Sequence, residues 1–168
     1  MRIIAALCLA IFSVSGALAQ TTVSKGDRFG DWITHCAAET ADPSNCAISQ
    51  TLNAKEGGAF VADVGLAVRD TDAGKRVLLI LLTPEGTALN IQPAYVVDEN
   101  ESQSALAWRA CAQGRCRAAT LLTPAAAAEL QAGRRMIMGY QGFGAAEPVR
   151  VSISLNGVTA GLQALGYE

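Results

Sequence analysis

The stretch Val77-Leu78-Leu79-Ile80-Leu81-Leu82 is apolar at every position and decides the fold. It is too short to cross a bilayer as a helix, which takes about 20 residues. A short apolar run bounded by turn formers is typical of a buried strand. Because successive side chains point to opposite faces, a strand of this kind is covered on both sides. We therefore expect a central strand and a second layer of structure over it.

The apolar run is also the second arm of a predicted hairpin. Phe60 to Arg69 form the first arm and Lys75 to Thr83 the second, joined by the turn formers Asp70-Thr71-Asp72-Ala73-Gly74. Further short apolar or alternating runs predict an antiparallel β-sandwich. The predicted strands are about 28–36, 46–52, 60–69, 75–83, 88–97, 105–111, 115–121, 134–141 and 148–155.

Two short helices complete the predicted fold, a mostly β domain. Thr123 is suited to cap the first helix, Pro124 to begin it and Gly133 to end it. The second follows Gly157, where apolar residues recur at helical spacing. Pro93 cannot donate a ladder hydrogen bond, so it indicates a sheet edge or a bulge within 88–97.

The first nineteen residues have the pattern of a secretory signal peptide. Arg2 supplies the positive charge, an apolar run follows from Ile3 to Val14, and small residues close on Ala19. We expect cleavage there, which leaves residues 20–168 as a single domain delivered to the periplasm or the outer membrane. The alternative of a membrane anchor is disfavoured because the apolar run is short.

Four cysteines remain after this cleavage, and an even number in an oxidising compartment predicts two disulfides. They permit three pairings, of which the two sequence-local ones close the shortest loops. We expect Cys36 to pair with Cys46 and Cys111 with Cys116. The alternative use of Cys111 and Cys116 is thiol-redox chemistry, with Arg115 lowering a thiolate pKa. Their spacing differs from the C-x-x-C of thioredoxin-like proteins, which favours a structural bridge.

Catalytic and metal-binding patterns are incomplete in this sequence. His35 is the single histidine, and a strand would point Asp31 and His35 to one side, with no evident nucleophile beside them. The loop 70–74 resembles the opening of a calcium loop but lacks its later ligands. Met136 and Met138 share one face of a strand, a thin basis for a copper site. We therefore expect no catalytic residues, no metal site and no cofactor, and favour ordinary turn and core roles.

Charged residues offer one candidate interaction face. Arg109, Arg115 and Arg117 surround the second cysteine pair, with Arg134 and Arg135 further along. Asp98, Glu99 and Glu101 form an acidic loop. The whole chain has a formal net charge of -2, which excludes a general attraction to nucleic acid or anionic lipid. The arginine group is the first place to look for a binding face.

Several of these residues together resemble one family. Phe29-Gly30-Asp31-Trp32 before Cys36, Cys46-Ala47-Ile48-Ser49-Gln50, the later cysteine pair with Ala118, and Ser154-Leu155-Asn156-Gly157 occur in the order seen in the invasion associated locus B family. The resemblance implies an exported, β-rich envelope protein of alphaproteobacteria, a family linked in some pathogens to entry into host cells. It supplies no catalytic residues. Val158 departs from the aromatic residue expected after the glycine.

We accordingly predict a noncatalytic exported envelope protein with a binding or interaction role, in host-cell invasion or in envelope homeostasis. Its expected partner is a protein or another envelope component, and peripheral association with the outer membrane is a further expectation. Two alternatives remain open: a periplasmic thiol-redox protein that uses Cys111 and Cys116, and a periplasmic protein that binds a small ligand or a metal.

Overall fold

The hairpin predicted around the apolar run forms, and the larger of two sheets is built on it. The computed structural model describes residues 23–37, 40–98 and 103–168. Its strands are β1 (Val23–Ser24), β2 (Arg28–Phe29), β3 (Trp32–Cys36), β4 (Thr40–Ala41), β5 (Cys46–Asn53), β6 (Phe60–Thr71), β7 (Gly74–Pro84), β8 (Ala94–Val97), β9 (Ser104–Ala105), β10 (Ala107–Ala112), β11 (Arg115–Leu121), β12 (Arg135–Tyr140) and β13 (Val149–Ser154). A 3₁₀ turn (Pro43–Asn45) and the helices α1 (Pro124–Ala132) and α2 (Val158–Ala164) complete it.

The strands form two main antiparallel sheets. The seven-stranded sheet has the order β10-β11-β7-β6-β5-β3-β2, and the four-stranded sheet has the order β13-β12-β8-β9. β1 and β4 pair separately. The predicted mostly β fold with two antiparallel sheets, two helices and two disulfides is therefore confirmed. The predicted signal peptide, Met1 to Ala19, lies outside the described residues.

The core lies between the two sheets. From β7, the side chains of Val77, Leu79 and Leu81 are fully buried there. From β12 in the facing sheet, Met136 and Met138 are equally buried, which confirms an ordinary core role for the two methionines. Both helices lie on this same side, since Leu130 of α1 and Leu162 of α2 belong to the core as well. Neither helix in the described part of the chain has the length and apolarity that a membrane span requires.

The alternate side chains of β7 show where the sequence prediction was wrong. Leu78, Ile80 and Leu82 point away from the core and are only half-buried. Both helices and the four-stranded sheet pack on the opposite face, so the described residues cover the central strand on one side only. A sequence of apolar residues indicates that a face avoids water, but it does not say whether this chain covers it.

The first helix begins and ends where the sequence predicted. The Thr123 hydroxyl accepts a hydrogen bond from the amide of Ala126, Pro124 occupies the first turn, and Gly133 follows the last helical residue. These roles match the residue preferences at helix ends. The second helix begins after Gly157, whose φ of 94° lies in the left-handed region.

Two predicted strands were wrong in extent. The predicted strand 28–36 is interrupted at Gly30 and Asp31, which form a tight turn between β2 and β3, because Gly30 has a φ of 57°. The predicted strand 88–97 is regular only from Ala94, so Pro93 lies before β8 rather than within it. The Pro93 carbonyl oxygen accepts a hydrogen bond from the amide of Leu106.

The turn at Gly30 is held by a segment that lies far away in the sequence. The Trp32 indole N–H donates to the carbonyl oxygen of Ser154 (3.0 Å), and the Ser154 hydroxyl donates to the Asp31 carboxylate (2.6 Å). Gly157 closes this junction, because a Cβ there would lie 1.9 Å from the carbonyl oxygen of Phe29. The junction joins the edge of the seven-stranded sheet to the end of the four-stranded sheet.

Gly157→Ala tests this close approach, with Gly74→Ala as the matched control. Both glycines have a φ of 94°, but a Cβ at Gly74 meets nothing within 4 Å. The left-handed conformation alone costs a non-glycine residue about 1–2 kcal/mol. We expect the Gly74 variant to lose about that much free energy of unfolding in chemical denaturation, and the Gly157 variant to lose at least about 3 kcal/mol, because the backbone must also move. Equal losses would contradict the junction.

Candidate functional site

Both predicted disulfides form, and each joins residues directly opposite on neighbouring strands. Cys36 of β3 pairs with Cys46 of β5 at a Cα–Cα distance of 4.1 Å. Cys111 of β10 pairs with Cys116 of β11 at 4.0 Å, beside the hairpin turn at Gln113. All four thiols are thereby oxidised. The bridges fasten one hairpin at each side of the seven-stranded sheet.

The three arginines of the predicted interaction face lie on the β10–β11 hairpin, and all are exposed. Arg115 and Arg117 alternate along β11 and share the face that points away from the core. The Arg115 guanidinium lies over the ring of Phe60, 4.2 Å from its centre, a cation–π contact. Arg109 lies at a register shift in β10, where this edge strand bulges. The arginines are therefore neighbours, but they do not converge on a common point.

Arg115 lies at the end of the molecule where three loops meet. Its hairpin is bound to the loop after β7, because the Glu85 amide donates to the Gly114 carbonyl oxygen and the Glu85 carboxylate accepts from the Gly114 amide, both at 3.1 Å. The same loop pairs with the segment after β12, through a bridge between Thr87 and Gly142. These hydrogen bonds fix the loops 85–93 and 141–148 side by side.

Large apolar side chains stand exposed on these two loops. Phe143 is 83% exposed, Leu89 is 49% exposed and Ile91 is 48% exposed. The Phe143 amide donates to the Gly86 carbonyl oxygen (2.6 Å), so the backbone that carries this ring is held in place. We call Leu89, Ile91, Phe143 and Arg115, whose hairpin is hydrogen-bonded to the same loop, the loop-end surface. It combines an aromatic on a hydrogen-bonded backbone, two aliphatic side chains and one arginine.

A shallow groove of about 310 Å³ lies beside this surface, on the outer face of the four-stranded sheet. Its floor contains Ala94 and Gly139, small residues opposite each other on β8 and β12. Ile91 and Arg150 are among the residues of its wall. Its volume is at the lower limit for a small-molecule site. We regard it as an extension of the loop-end surface.

The residues that the sequence offered as catalytic or metal-binding candidates either lie apart from one another or are hydrogen-bonded to other groups. Asp31 lies in the turn before β3 and not on the strand, so the predicted geometry of Asp31 and His35 on one strand is wrong. The Asp31 carboxylate accepts a hydrogen bond from Ser154, and His35 is exposed. The loop with Asp72 is a two-residue hairpin turn, in which the Thr71 hydroxyl donates to the Gly74 carbonyl oxygen (2.6 Å). The structure thus assigns these residues to turns and strand surface.

The acidic loop has a structural use at the one position that the structure describes. The Asp98 carboxylate accepts hydrogen bonds from the backbone amides of Arg134 and Arg135 at 3.1 to 3.3 Å. Glu99 and Glu101 lie outside the described residues. In 23–37, 40–98 and 103–168, no group of three or more acidic, histidine or cysteine side chains is placed to hold a metal ion.

Comparison with known proteins identifies the family. The family model described as Invasion associated locus B (IalB) protein matches residues 32–166. The chain belongs to the invasion associated locus B family. Its fold is similar to the crystal structure of invasion associated protein b from Bartonella henselae, with a TM-score of 0.66 and 19% sequence identity over 83% of this chain and 94% of that chain. A search of curated proteins found no match to the sequence.

Sequence reasoning found the cysteine pairs and the arginine hairpin but missed Phe143. The ring lies between Gly142 and Gly144, in a break between two predicted strands. A bulky aromatic residue flanked by glycines in a loop is a sequence signal for an exposed side chain. The signal is not sufficient without the solvent exposure of the ring, because an aromatic residue in a loop can equally fold back onto the core.

Replacing Cys111 and Cys116 together by serine tests the structural role of that bridge. Because a disulfide of this loop length restricts the unfolded chain, we expect the free energy of unfolding to fall by about 2 kcal/mol with the fold retained. The bridge between Cys36 and Cys46 closes a longer loop, so the double variant that lacks it should lose about 3 kcal/mol of free energy of unfolding. Chemical denaturation with and without reductant measures both, and an unchanged stability after removal of either bridge would contradict the assignment.

Buried tyrosines predict a loss of stability at high pH. Burial raises the pKa of Tyr140 and of Tyr95 above the usual 10.0, and the Tyr140 hydroxyl donates to the Val61 carbonyl oxygen across the two sheets (2.8 Å). The unfolded chain therefore releases these protons at lower pH than the folded chain. The free energy of unfolding should fall as pH rises above about 10. Denaturation from pH 8 to 11 should show a shallower fall for Tyr140→Phe, and an identical fall would oppose this cause.

Proposed function

We propose that this protein is an exported, noncatalytic envelope protein that acts by binding another envelope component through the loop-end surface. Export is supported by the pattern of residues 1–19 and by two disulfides, which persist in oxidising compartments. Membership of the invasion associated locus B family supports the same location. The periplasm or the surface of the outer membrane is therefore the proposed place of action.

A binding role is supported by the contacts that the potentially reactive side chains already make within the protein. All four cysteines near the strand ends are consumed in disulfides, so they offer no thiolate for nucleophilic or redox chemistry. Asp31 serves the junction with Ser154, away from the exposed His35. These engagements favour a noncatalytic protein over a periplasmic thiol-redox protein.

The exposure of Phe143 is the observation that carries the proposal. A phenylalanine that is 83% exposed loses most of the free energy that burial of its ring would supply, about 1.5–3 kcal/mol. Its backbone is nevertheless fixed to Gly86, so the ring is presented and not merely loose. Aromatic and arginine side chains are the residue types that dominate binding energy at protein interfaces. Phe143 and Arg115 at one end of the molecule match that composition.

The charges around this surface favour a protein partner over an anionic bilayer. Glu85 and Glu147 lie on the same loops as the apolar residues, while Arg115 and Arg150 lie beside them. A mixed set of charges fits a polar rim around an apolar centre. An anionic lipid surface would select an excess of basic residues. Peripheral attachment to the outer membrane is thus the second outcome that an experiment has to test.

The names of the family and of the Bartonella henselae relative refer to invasion. An envelope protein that binds through a fixed surface could serve entry into a host cell or the upkeep of the envelope itself. The two roles differ in the partner, which is a host protein in the first case and a bacterial one in the second. We propose the loop-end surface as the binding site in either case.

Site-specific photocrosslinking tests the loop-end surface. A photoreactive residue is placed at Phe143, or at the control Ala128, which is exposed on α1. In cells of the bacterium that encodes the protein, position 143 should give a discrete adduct at least about tenfold stronger than position 128. The adduct partner, purified, should bind the natural protein and lose at least about tenfold in affinity for Phe143→Ser, but not for Ala128→Ser.

Vesicles made from outer-membrane lipids separate the two kinds of partner. Equal co-flotation of the natural protein and of Phe143→Ser, together with no specific adduct, would contradict the proposal. Flotation that depends on Phe143, without any protein adduct, would show that the partner is the membrane and not a protein.

A further inference from the structure

The outer face of β7 is a second apolar surface, separate from the loop-end surface. Leu78, Ile80 and Leu82 form a ridge there, each half-buried, while the intervening side chains fill the core. The four-stranded sheet and both helices pack against the opposite face, and the neighbouring strands continue the sheet sideways. The sequence predicts a cover on both faces of this strand, and the described chain supplies one.

Small residues on the neighbouring strands leave this ridge prominent. Ile80 lies between Gly65 of β6 and Ala119 of β11 in the sheet register. Leu78 lies between Ala67 and Leu121. Gly65, Ala67 and Ala119 are small and buried, so the ridge side chains are the more exposed groups of this face. A sheet face can accept another sheet at about 10 Å.

Opposite charges flank the ridge at one level. The register places Asp63 of β6 on one side of Leu82 and Arg117 of β11 on the other, one strand away in each direction. Neighbouring strands are about 4.8 Å apart, so the two charges stand roughly 10 Å apart across the ridge. Asp63 accepts a hydrogen bond from the Thr51 hydroxyl (2.6 Å), while Arg117 is exposed and has no hydrogen bond or ion pair within the described ranges.

We propose that a second copy of this chain covers this face. The two copies are related by a two-fold axis that runs parallel to β7, between the two facing sheets. Rotation about such an axis exchanges the two sides of the ridge and keeps each level along the strand. It therefore places Asp63 of one copy over Arg117 of the other, twice. An isologous contact requires a patch that is complementary to itself, and this row of charge, leucine and opposite charge meets that requirement. The apolar ridges then shield each other from water.

The choice of a second copy rests on this charge arrangement. An unrelated partner would need no particular symmetry in the patch, whereas a two-fold contact needs acid and base at equal distances from the axis. Asp63 and Arg117 satisfy that condition with Leu82 at the centre. The proposed contact uses neither Phe143 nor Leu89 nor Ile91 of the loop-end surface, and the binding function is tested at Phe143, so the failure of one proposal and the failure of the other are distinguishable.

Charge reversal provides the test. The full chain is expressed with its leader, purified from the envelope fraction, and examined by sedimentation velocity from about 1 to 500 μM. We expect a reversible dimer. Arg117→Asp places Asp63 opposite aspartate in both contacts and should weaken dimerisation at least about tenfold. Asp63→Lys places lysine opposite Arg117 and should weaken it similarly.

An equimolar mixture of Arg117→Asp and Asp63→Lys should restore the dimer. In that heterodimer both contacts again join opposite charges, so the dissociation constant should return to within about threefold of the natural protein. Arg109→Asp, at an exposed arginine on the neighbouring edge strand, is the matched control and should leave the dimer unchanged. Because Asp63 also receives the Thr51 hydrogen bond, thermal melting confirms that its variant is folded, and Arg117→Asp stands as a test by itself.

The proposal is overturned if the natural protein stays monomeric over the whole concentration range. It is equally overturned if Arg117→Asp dimerises like Arg109→Asp, or if folded single variants fail to recover in the mixture. Phe143→Ser should dimerise like the natural protein, which keeps this result independent of partner binding.

Discussion

Trp32 donates its indole N–H to the carbonyl oxygen of Ser154, and the Gln50 side chain donates to the same oxygen. Trp32 is fully buried, so its N–H has to find a partner inside the protein. That partner lies 122 residues further along the chain, at the end of the four-stranded sheet. The contact therefore fixes how the two sheets lie across the core, and the close approach of Gly157 to Phe29 leaves this geometry no room for a side chain.

Much of the fold could be predicted because local patterns and tertiary packing agree. The apolar run around Leu79 became a central strand, Thr123 and Gly133 bound the first helix, and both sequence-local disulfides formed. The failures lie where distant contacts decide. Nothing near Gly30 indicates that its turn is held by Ser154. Pro93 precedes β8 because proline has no backbone N–H to donate to a ladder.

The candidate binding surface was predicted only in part, for a related reason. Arg115 was identified from charge, but its contact with Phe60 and its nearness to the loop of Phe143 depend on turns that meet only in the folded chain. The outer face of β7 was misjudged in the opposite direction. An unbroken apolar run indicates that both faces of the strand avoid water. For Leu78, Ile80 and Leu82 it does not specify whether the covering layer belongs to the same molecule.

The two surfaces are related by the direction of β7. The ridge runs along this strand, and the loop-end surface lies at the end where the strand stops at Pro84. Rotation about an axis parallel to the strand does not reverse that direction, so a dimer built on the ridge would point both Phe143 rings to the same side. Two binding ends that face one way can engage a repeated or dimeric partner at once, and the second contact is then intramolecular. A modest affinity at each Phe143 would suffice for firm attachment, without any change in the binding surface itself.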